Sequence, residues 1–362
     1  MRKNLRRVLA GLLACIMALS VLSISAFAAQ KKNEVKKARK HYNTYVAIGD
    51  SIAAGYGLTG DPDSLQTQFT LTHGELVDGS YPVLLGKAVN AKEVINLSRD
   101  AYTIENFLRF IDPTYEHELN QPKNYYERFL TDCNYFQPEV FKPGDFAYQK
   151  SHVLDSVKKA DLITINLGNN DIATNALFSV VYKAIYYTFG CSAQAAFAMA
   201  ENDFQKADSL EDLVRMVGRG ENTLFNYKTI MEEVDVNLAM YKRNYDRLVK
   251  AIKNVNPKVD IYTVGMYDTF RQADPQGSWI QKTCSDASVK VCNEVKDYLL
   301  NGSSVRGMYT FVDDTYTECW PSASMETPDF WLHYLVHCHP DYNGHIYIAN
   351  QIIDAINANA RK

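Results

Sequence analysis

The stretch that decides the fold runs from Asp161 to Asp171 and reads Asp-Leu-Ile-Thr-Ile-Asn-Leu-Gly-Asn-Asn-Asp. Its first half is a near-continuous apolar run, which is typical of a strand buried on both faces of a parallel sheet. The run ends at Gly168, where a polar turn begins. The stretch therefore predicts a buried strand whose carboxyl end carries polar side chains.

Four further runs have strand character, and helical patterns separate them. The predicted strands cover residues 44–48, 93–97, 161–167, 259–264 and 308–312, and the helical patterns cover 104–111, 232–254, 287–300 and 346–360. Such alternation predicts an α/β layered fold with a parallel sheet. Two segments break the alternation: residues 112–148 are predicted to be an irregular insertion, and residues 175–227 a helical insertion after the third strand.

The N-terminus has the pattern of a secretory signal peptide over residues 1–29. Four cations within residues 2–7 precede an apolar run at 8–21 and a small-residue site at 26–29. An uncleaved membrane anchor is the alternative interpretation. Residues 30–41 hold six cations and are predicted to be a basic linker, either solvated or in contact with an anionic surface. Residues 42–362 then form the folded body, which we expect to be extracytoplasmic.

Charge and cysteine content narrow the class of protein. The chain has a formal net charge of −4, and ten of its 38 basic residues precede Tyr42, so the body is strongly acidic. An acidic body argues against nucleic-acid binding, which needs clustered Lys and Arg. Six cysteines follow the leader and predict disulfides in an oxidising compartment: Cys133, Cys191, Cys284, Cys292, Cys319 and Cys338. Short loops favour the pairs Cys284–Cys292 and Cys319–Cys338, which would leave Cys133–Cys191 as the long one, but the pairing stays open.

Three polar motifs lie at the ends of predicted strands or just before the last helix. Ser51 follows the first strand at the start of a helical turn, where its N–H is a free donor suited to a developing oxyanion. Asn170 follows the third strand, and its side-chain amide is a second donor of that kind. His339 lies in a Pro-bearing turn that fixes an imidazole, as proton transfer from a serine requires.

Taken together, the three motifs resemble those of the SGNH hydrolases, the superfamily of GDSL-type esterases and lipases. Residues 45–57 look like the first block, with Ser51 matching the nucleophile. Residues 168–171 are similar to the GxND block, with Asn170 as the oxyanion-hole side chain, and His339 matches the catalytic base. The resemblance spans about residues 42–360. It implies a flavodoxin-like, three-layer α/β/α sandwich, no cofactor, and hydrolysis of carboxylic esters through an acyl-enzyme.

The sequence departs from the family pattern in two places. The second block should hold a Gly that donates its backbone N–H, and Ala101 stands there; an Ala keeps the N–H. The family's Asp should stand two or three residues before the His, where this chain has His337 and Val336. A carbonyl near Val336 would give a Ser-His dyad. Alternatively, a carboxylate such as Asp313, Asp314 or Asp329 orients the imidazole, or the protein is inactive and only binds.

The last block also carries further histidines. His333 and His337 have the i, i+4 spacing of two zinc ligands on a helix, but no H-E-x-x-H motif accompanies them, so we expect no metal site. The sequence-based hypothesis is a secreted serine esterase that acts on lipid or simple acyl esters. The alternatives are a carbohydrate O-acetyl esterase, whose sugar would stack on aromatic residues of the insertion, and a non-catalytic binding protein. The aromatic residues in question are Phe178, Tyr182, Tyr186, Tyr187 and Phe189.

Overall fold

A computed structural model describes residues 34–58, 76–100, 102–115, 143–206, 210–217, 224–271, 273, 275–317 and 338–361. Within this part of the chain, five strands form one all-parallel sheet in the order β2-β1-β3-β4-β5. The strands are β1 (Thr44–Gly49), β2 (Glu93–Asn96), β3 (Leu162–Asn166), β4 (Asp260–Val264) and β5 (Thr310–Val312). This order is that of flavodoxin-like folds. The predicted strands and the α/β class are confirmed.

Helices occupy the segments between the strands. They are α1 (Ser51–Ala54), α2 (Tyr81–Ala88), α3 (Ile104–Ile111), α4 (Pro143–Lys159), α5 (Asn175–Phe189), α6 (Ala193–Lys206), α7 (Leu210–Val217), α8 (Tyr227–Val255), α9 (Trp279–Asp297) and α10 (Tyr342–Asn359). Single π-helical turns follow β3 at Asn170–Thr174 and α9 at Tyr298–Gly302, and a 3₁₀ turn covers Arg306–Met308. Helices α5, α6 and α7 confirm the helical insertion after the third strand.

The two faces of the sheet pack against different helices. On one face, Val46, Ile163 and Ile261 join apolar residues of α3, α4, α8 and α9 in one buried cluster. On the other face, Tyr45 and Tyr262 pack with residues of α2 and α10. A third cluster joins α5, α6 and α7 to the beginning of α8 and α9. The alternation of strand side chains between two helical layers produces the three-layer α/β/α sandwich.

Helix boundaries differ from the predictions where caps decide them. Helix α8 begins at Tyr227 rather than near residue 232, because the Asn226 side chain accepts a hydrogen bond from Thr229 N at 3.1 Å. Helix α9 begins at Trp279, after the cap Ser278, rather than at residue 287. Helix α4 begins at Pro143, so the last part of the segment predicted to be irregular is helical. The rest of that insertion, residues 116–142, lies outside the described residues.

The segment predicted to be a basic linker is bound to the body where the structure describes it. In this N-terminal strap (residues 35–40), the backbone N–H groups of Lys36 and Arg39 donate to the side chains of Asn350 and Asn357 on α10, both at 2.7 Å. Asn357 also donates to a strap carbonyl at 3.0 Å. The strap is therefore attached to the body through hydrogen bonds, while most of its side chains are exposed. The signal peptide, and the domain limits based on it, stay predictions.

The disulfide predictions have different outcomes. Cys284 and Cys292 both lie on α9, eight residues apart, so a rise of 1.5 Å per residue separates their Cα atoms by about 12 Å. A disulfide spans at most about 7 Å between Cα atoms, so the pair Cys284–Cys292 is wrong. The other two suggested pairs each involve a cysteine, Cys133 or Cys319, outside the described residues. No helix in the described part of the chain has the length and apolarity to cross a membrane.

Candidate active site

The turn after β1 presents Ser51 at the carboxyl edge of the sheet. Asp50 is the N-cap of α1, and its side chain accepts a hydrogen bond from Ile52 N at 3.0 Å. Helix α1 is a single turn that ends at Gly55, which has a left-handed φ of 85°. A Cβ at Gly55 would lie 2.9 Å from the Cβ of Val77, so glycine is required there for space as well as for conformation. The turn fixes the serine at the beginning of a helix.

His339 comes from the other end of the chain and meets this serine. Its Nε2 lies 2.8 Å from Oγ of Ser51, a normal hydrogen-bond distance. The histidine precedes α10, whose N-cap Asp341 accepts a hydrogen bond from Gly344 N at 2.7 Å. The structure thus brings together two residues that are 288 positions apart in the sequence. The hydroxyl and the imidazole have the relation of a nucleophile and its general base.

The opposite side of the His339 ring faces sulfur. Sγ of Cys338 lies 3.4 Å from Nδ1, and the carbonyl of Cys338 accepts a hydrogen bond from the Tyr267 hydroxyl at 2.8 Å. Of the carboxylates considered from the sequence, Asp313 binds Lys296 and the Thr315 backbone instead. Asp314 makes no side-chain hydrogen bond with any described residue. Asp329 and Val336 lie outside the described residues.

The second histidine of the motif has a different environment. His345 is fully buried on α10, and its Nδ1 accepts a hydrogen bond from Tyr81 N at 3.2 Å. Burial, assisted by the neighbouring His339, lowers the pKa of His345 to about 3. His345 is therefore neutral at physiological pH and serves as a cap for the first N–H of α2. It is not a second candidate for the base.

The turn that follows β3 (residues 168–171, the β3 turn) holds the side chain of the predicted oxyanion donor Asn170 in place. Because Gly49 of β1 pairs with Asn166 of β3, the segments carrying Ser51 and Asn170 leave the sheet side by side. The Asn170 side chain donates to the Tyr102 carbonyl at 3.2 Å, and Asp171 accepts from Ile104 N at 3.0 Å. The β3 turn therefore holds the loop that follows β2. Ala101, the other predicted oxyanion donor, lies in that loop but outside the described residues.

Buried carboxyl groups surround the turn of Ser51. Burial, assisted by the nearby charge of Asp100, raises the pKa of Asp50 to about 7. Burial also raises the pKa of Asp171 well above its usual range, assisted by Glu105 and Asp50. The carboxyl side chains beneath the serine thus tend toward their neutral forms near pH 7. Among the described residues, no group of three or more His, Cys, Asp or Glu side chains is arranged to hold a metal ion.

The aromatic residues of the insertion do not share one environment. Tyr182 is only 4% exposed and belongs to the core of the helical insertion. Tyr187 and Phe189 near the end of α5 are 65% and 43% exposed, and Tyr186 lies between these extremes. Tyr182 is thus a packing residue, which corrects its prediction as a substrate contact. Nothing is described for the Phe178 side chain.

Sequence reasoning missed three residues that shape the site. Tyr56 packs its ring on His339, with 4.6 Å between the ring centroids. The sulfur of Cys338 lies beside Nδ1 of His339, a contact that the sequence analysis did not anticipate. Tyr267 anchors the backbone of Cys338. Tyr56 belongs to the motif at residues 45–57, whereas no local pattern indicates the contact of Tyr267.

A parallel sheet of this strand order, with a paired serine and histidine at its carboxyl edge, defines the class of flavodoxin-like proteins with a serine-hydrolase type of site. Within that class, the chain belongs to the GDSL-like lipase/acylhydrolase family, whose model matches residues 47–345. The match confirms the resemblance stated from the sequence motifs. Comparison with curated protein sequences gives no significant match.

Several solved structures are distantly similar to the chain. An extracellular lipase from Streptomyces rimosus is 16% identical, with a TM-score of 0.41 over 87% of this chain and 99% of that one. Phospholipase A1 from Streptomyces albidoflavus is 12% identical, with a TM-score of 0.40 over 88% and 99%. A family 2 carbohydrate esterase with a carbohydrate-binding domain, from Corynascus thermopiles (Myceliophthora fergusii), is 17% identical, with a TM-score of 0.41 over 91% and 69%.

Proposed function

We propose that the protein is a secreted serine esterase that hydrolyses carboxylic esters through an acyl-enzyme on Ser51. The observation that carries the proposal is the 2.8 Å contact between Oγ of Ser51 and Nε2 of His339. Membership of the GDSL-like lipase/acylhydrolase family supports ester hydrolysis as the class of reaction. Secretion is inferred from the leader pattern of residues 1–29.

The reaction has two steps that use the same residues. Oγ of Ser51 attacks the ester carbonyl while Nε2 of His339 takes the hydroxyl proton, and the imidazolium then returns that proton to the departing alcohol. Water repeats the sequence on the acyl-enzyme, releases the acid and restores the serine. The N–H groups of Ser51 and Ala101 and the Asn170 amide stabilise the tetrahedral oxyanion. The Asn170 amide has a second N–H besides the one donated to the Tyr102 carbonyl.

We propose lipid or simple acyl esters as substrates. Tyr187 and Phe189 support this choice, because they present exposed aromatic rings on the helical insertion. Exposed aromatic rings are suited to contact with acyl chains, and they are equally suited to stacking on sugar rings. A carbohydrate O-acetyl ester is thus the alternative substrate for the same two-step chemistry.

Release of p-nitrophenol from acetate, butyrate and longer-chain esters tests the proposal. The chain from Ala29 onward should hydrolyse at least one ester, and Ser51→Ala should reduce the rate to background. A His339→Gln variant should be similarly inactive, because no base then removes the serine proton. Retention of activity by Ser51→Ala would contradict the assignment of the nucleophile.

Two further outcomes distinguish the alternatives. A preference for acetate, with acetate release from an acetylated polysaccharide, would replace the lipid substrate by the carbohydrate one. Equal background rates for the unmodified chain and Ser51→Ala on every ester would refute the esterase and leave a binding protein. Circular dichroism of both proteins confirms that the comparison is made between folded chains.

A further inference from the structure

A tyrosine ring lies against the face of the His339 imidazole. The centroids of the Tyr56 and His339 rings are 4.6 Å apart, and the ring planes are inclined by 39°. Tyr56 is 7% exposed, so this contact is shielded from water. The imidazole therefore has Ser51 at Nε2, the Cys338 sulfur at Nδ1 and an aromatic face against its plane.

The backbone fixes Tyr56 relative to the serine. The carbonyl of Ser51 accepts hydrogen bonds from Gly55 N at 3.1 Å and from Tyr56 N at 3.0 Å. The left-handed conformation of Gly55 makes this reversal possible, because it turns the chain back after a single helical turn. The nucleophile and the ring that supports its base thus belong to one short, hydrogen-bonded unit.

We propose that Tyr56 is a positioning residue that holds the His339 imidazole on Ser51 and stabilises the imidazolium formed during proton transfer. This inference rests on the proposed esterase function. A triad carboxylate performs two tasks, because it orients the histidine and it compensates the imidazolium charge. The ring of Tyr56 performs both from the face of the imidazole, since the face of an aromatic ring carries negative potential and attracts a cation.

Four groups near His339 lie within the described part of the chain, and each of them is neutral or only partly charged near pH 7. His345 of α10 is neutral because burial lowers its pKa. Asp50, beneath the serine turn, has its pKa raised to about 7 by burial. Asp341 caps α10, and burial raises its pKa as well. The Cys338 sulfur is a weak acceptor. The contact with the face of Tyr56 is a further interaction that favours the charged imidazole.

Two substitutions at Tyr56 separate the ring from its hydroxyl. Tyr56→Phe keeps the aromatic face and should have a kcat/KM within about twofold of the unmodified enzyme. Tyr56→Leu keeps an apolar side chain but has no aromatic face, and kcat/KM should fall roughly 5- to 30-fold, mostly in kcat. The acid limb of the pH profile of kcat/KM should move about half a pH unit lower, because the imidazolium loses its support.

Tyr115→Leu is the matched control. Tyr115 is 8% exposed, like Tyr56, and its ring also lies close to a cation, with the Arg247 guanidinium 4.8 Å from the ring centroid. This control should lower the thermal transition temperature without moving the acid limb. If Tyr56→Leu likewise changes only stability, the ring is structural and the inference is wrong. If Tyr56→Phe loses as much activity as Tyr56→Leu, the hydroxyl rather than the ring face is responsible, and the inference is equally wrong.

A measurement without substrate separates this inference from the esterase proposal. The pKa of His339 can be followed by NMR of ¹³C-labelled histidine, with the signal assigned by its loss in His339→Gln. Tyr56→Leu should lower this pKa by about half a unit relative to Tyr56→Phe. That result would support the proposed role of the ring even if the unmodified protein and the Ser51→Ala variant were both inert on esters. An unchanged pKa of His339 would overturn the inference about Tyr56, even if the protein is an active esterase.

Discussion

Replacing Asp314 with asparagine should stabilise the protein at neutral and alkaline pH and leave ester hydrolysis intact. Asp314 follows β5 and is fully buried. Neither oxygen of its carboxyl group accepts a hydrogen bond from a described residue. Burial, assisted by the charge of Asp313, raises the pKa of Asp314 from 3.8 to about 8. The ionised form is therefore disfavoured in the folded protein, and an amide of the same shape removes the ionisation.

The size of the effect follows from the two pKa values. Between pH 4 and pH 8 the folded protein binds a proton at Asp314 that the unfolded chain has released. The free energy of unfolding therefore loses about 1.4 kcal/mol per pH unit as the pH rises through this window. The contribution of Asp314 is complete below about pH 4 and is lost as the pH approaches 8. At pH 7 the loss amounts to roughly 4 kcal/mol at most.

Urea denaturation of both proteins at pH 5, 6, 7 and 8 measures this difference. The gain in unfolding free energy of Asp314→Asn should grow with pH and level off near pH 8. Asp313→Asn is the control: its carboxylate binds Lys296 and Thr315, which lower its pKa, so removing the charge should cost stability slightly at neutral pH. A gain that does not depend on pH would refute the reasoning.

The same variant tests whether Asp314 orients His339. The structure shows no hydrogen bond between these two described residues, so kcat/KM of Asp314→Asn should stay within about twofold of the unmodified enzyme. Replacing the Asp of a catalytic triad by Asn costs about 10⁴-fold. A loss approaching that size would show that the carboxylate of Asp314 serves the imidazole in the working enzyme.

Three other variants should respond in distinct ways. Asn170→Ala should lower kcat about 10²- to 10³-fold with little change in KM, as steady-state kinetics would show; a change in KM alone would contradict its role as an oxyanion donor. Gly168→Ala should lower the unfolding free energy by about 1–3 kcal/mol in thermal denaturation, because φ at Gly168 is +139° and a Cβ would lie 2.8 Å from the Tyr241 ring. Truncation of the N-terminal strap should cost roughly 1–3 kcal/mol by calorimetry, whereas Lys36→Ala, which removes only an exposed ion pair, should be nearly neutral.

Sequence patterns predicted the sheet because strands that are buried on both faces have a simple signature, a near-continuous run of apolar residues. The strand β3 is buried at every position and reads as a near-continuous apolar run. Helix limits were less accessible, since the cap contacts of Asn226 and Ser278 decide them. Those caps do leave a signal, because an Asn or Ser immediately before a helical pattern is a common N-terminus.

The attachment of the strap to the body is a part of the fold that amino-acid composition does not indicate. Its cations predicted a solvated segment, but its backbone N–H groups bind Asn350 and Asn357, seven residues apart on α10. This spacing places both amides on one face of the helix, and it is visible in the sequence. The spacing of these two residues does not show which segment they bind, because a backbone N–H donor is the same for every residue type.

The pairing of Ser51 with His339 could be predicted from the sequence, whereas the contacts that support the imidazole could not. Ser51 and Asn170 follow strands, and His339 lies in the turn before the last helix. The topology brings the carboxyl ends of parallel strands together at one edge of the sheet. The environment of the imidazole depends instead on contacts between distant segments. Cys338 illustrates this, because no pattern in the sequence indicates that its sulfur lies 3.4 Å from Nδ1 of His339.

This chain has Val336 and His337 where the family pattern has an Asp, and the imidazole of His339 must still be held and its charge compensated. The described residues restrict His339 at three places, through the Ser51 hydroxyl, the Cys338 sulfur and the face of Tyr56. Each of these contacts is weaker than an ion pair between a histidine and an aspartate. Their combined effect is to orient the ring strongly but to stabilise its charge modestly. A carboxylate introduced beside Nδ1 would favour the charged imidazole and should therefore raise the pKa of His339. The acid limb of the pH profile of the proposed esterase should then move to a higher pH.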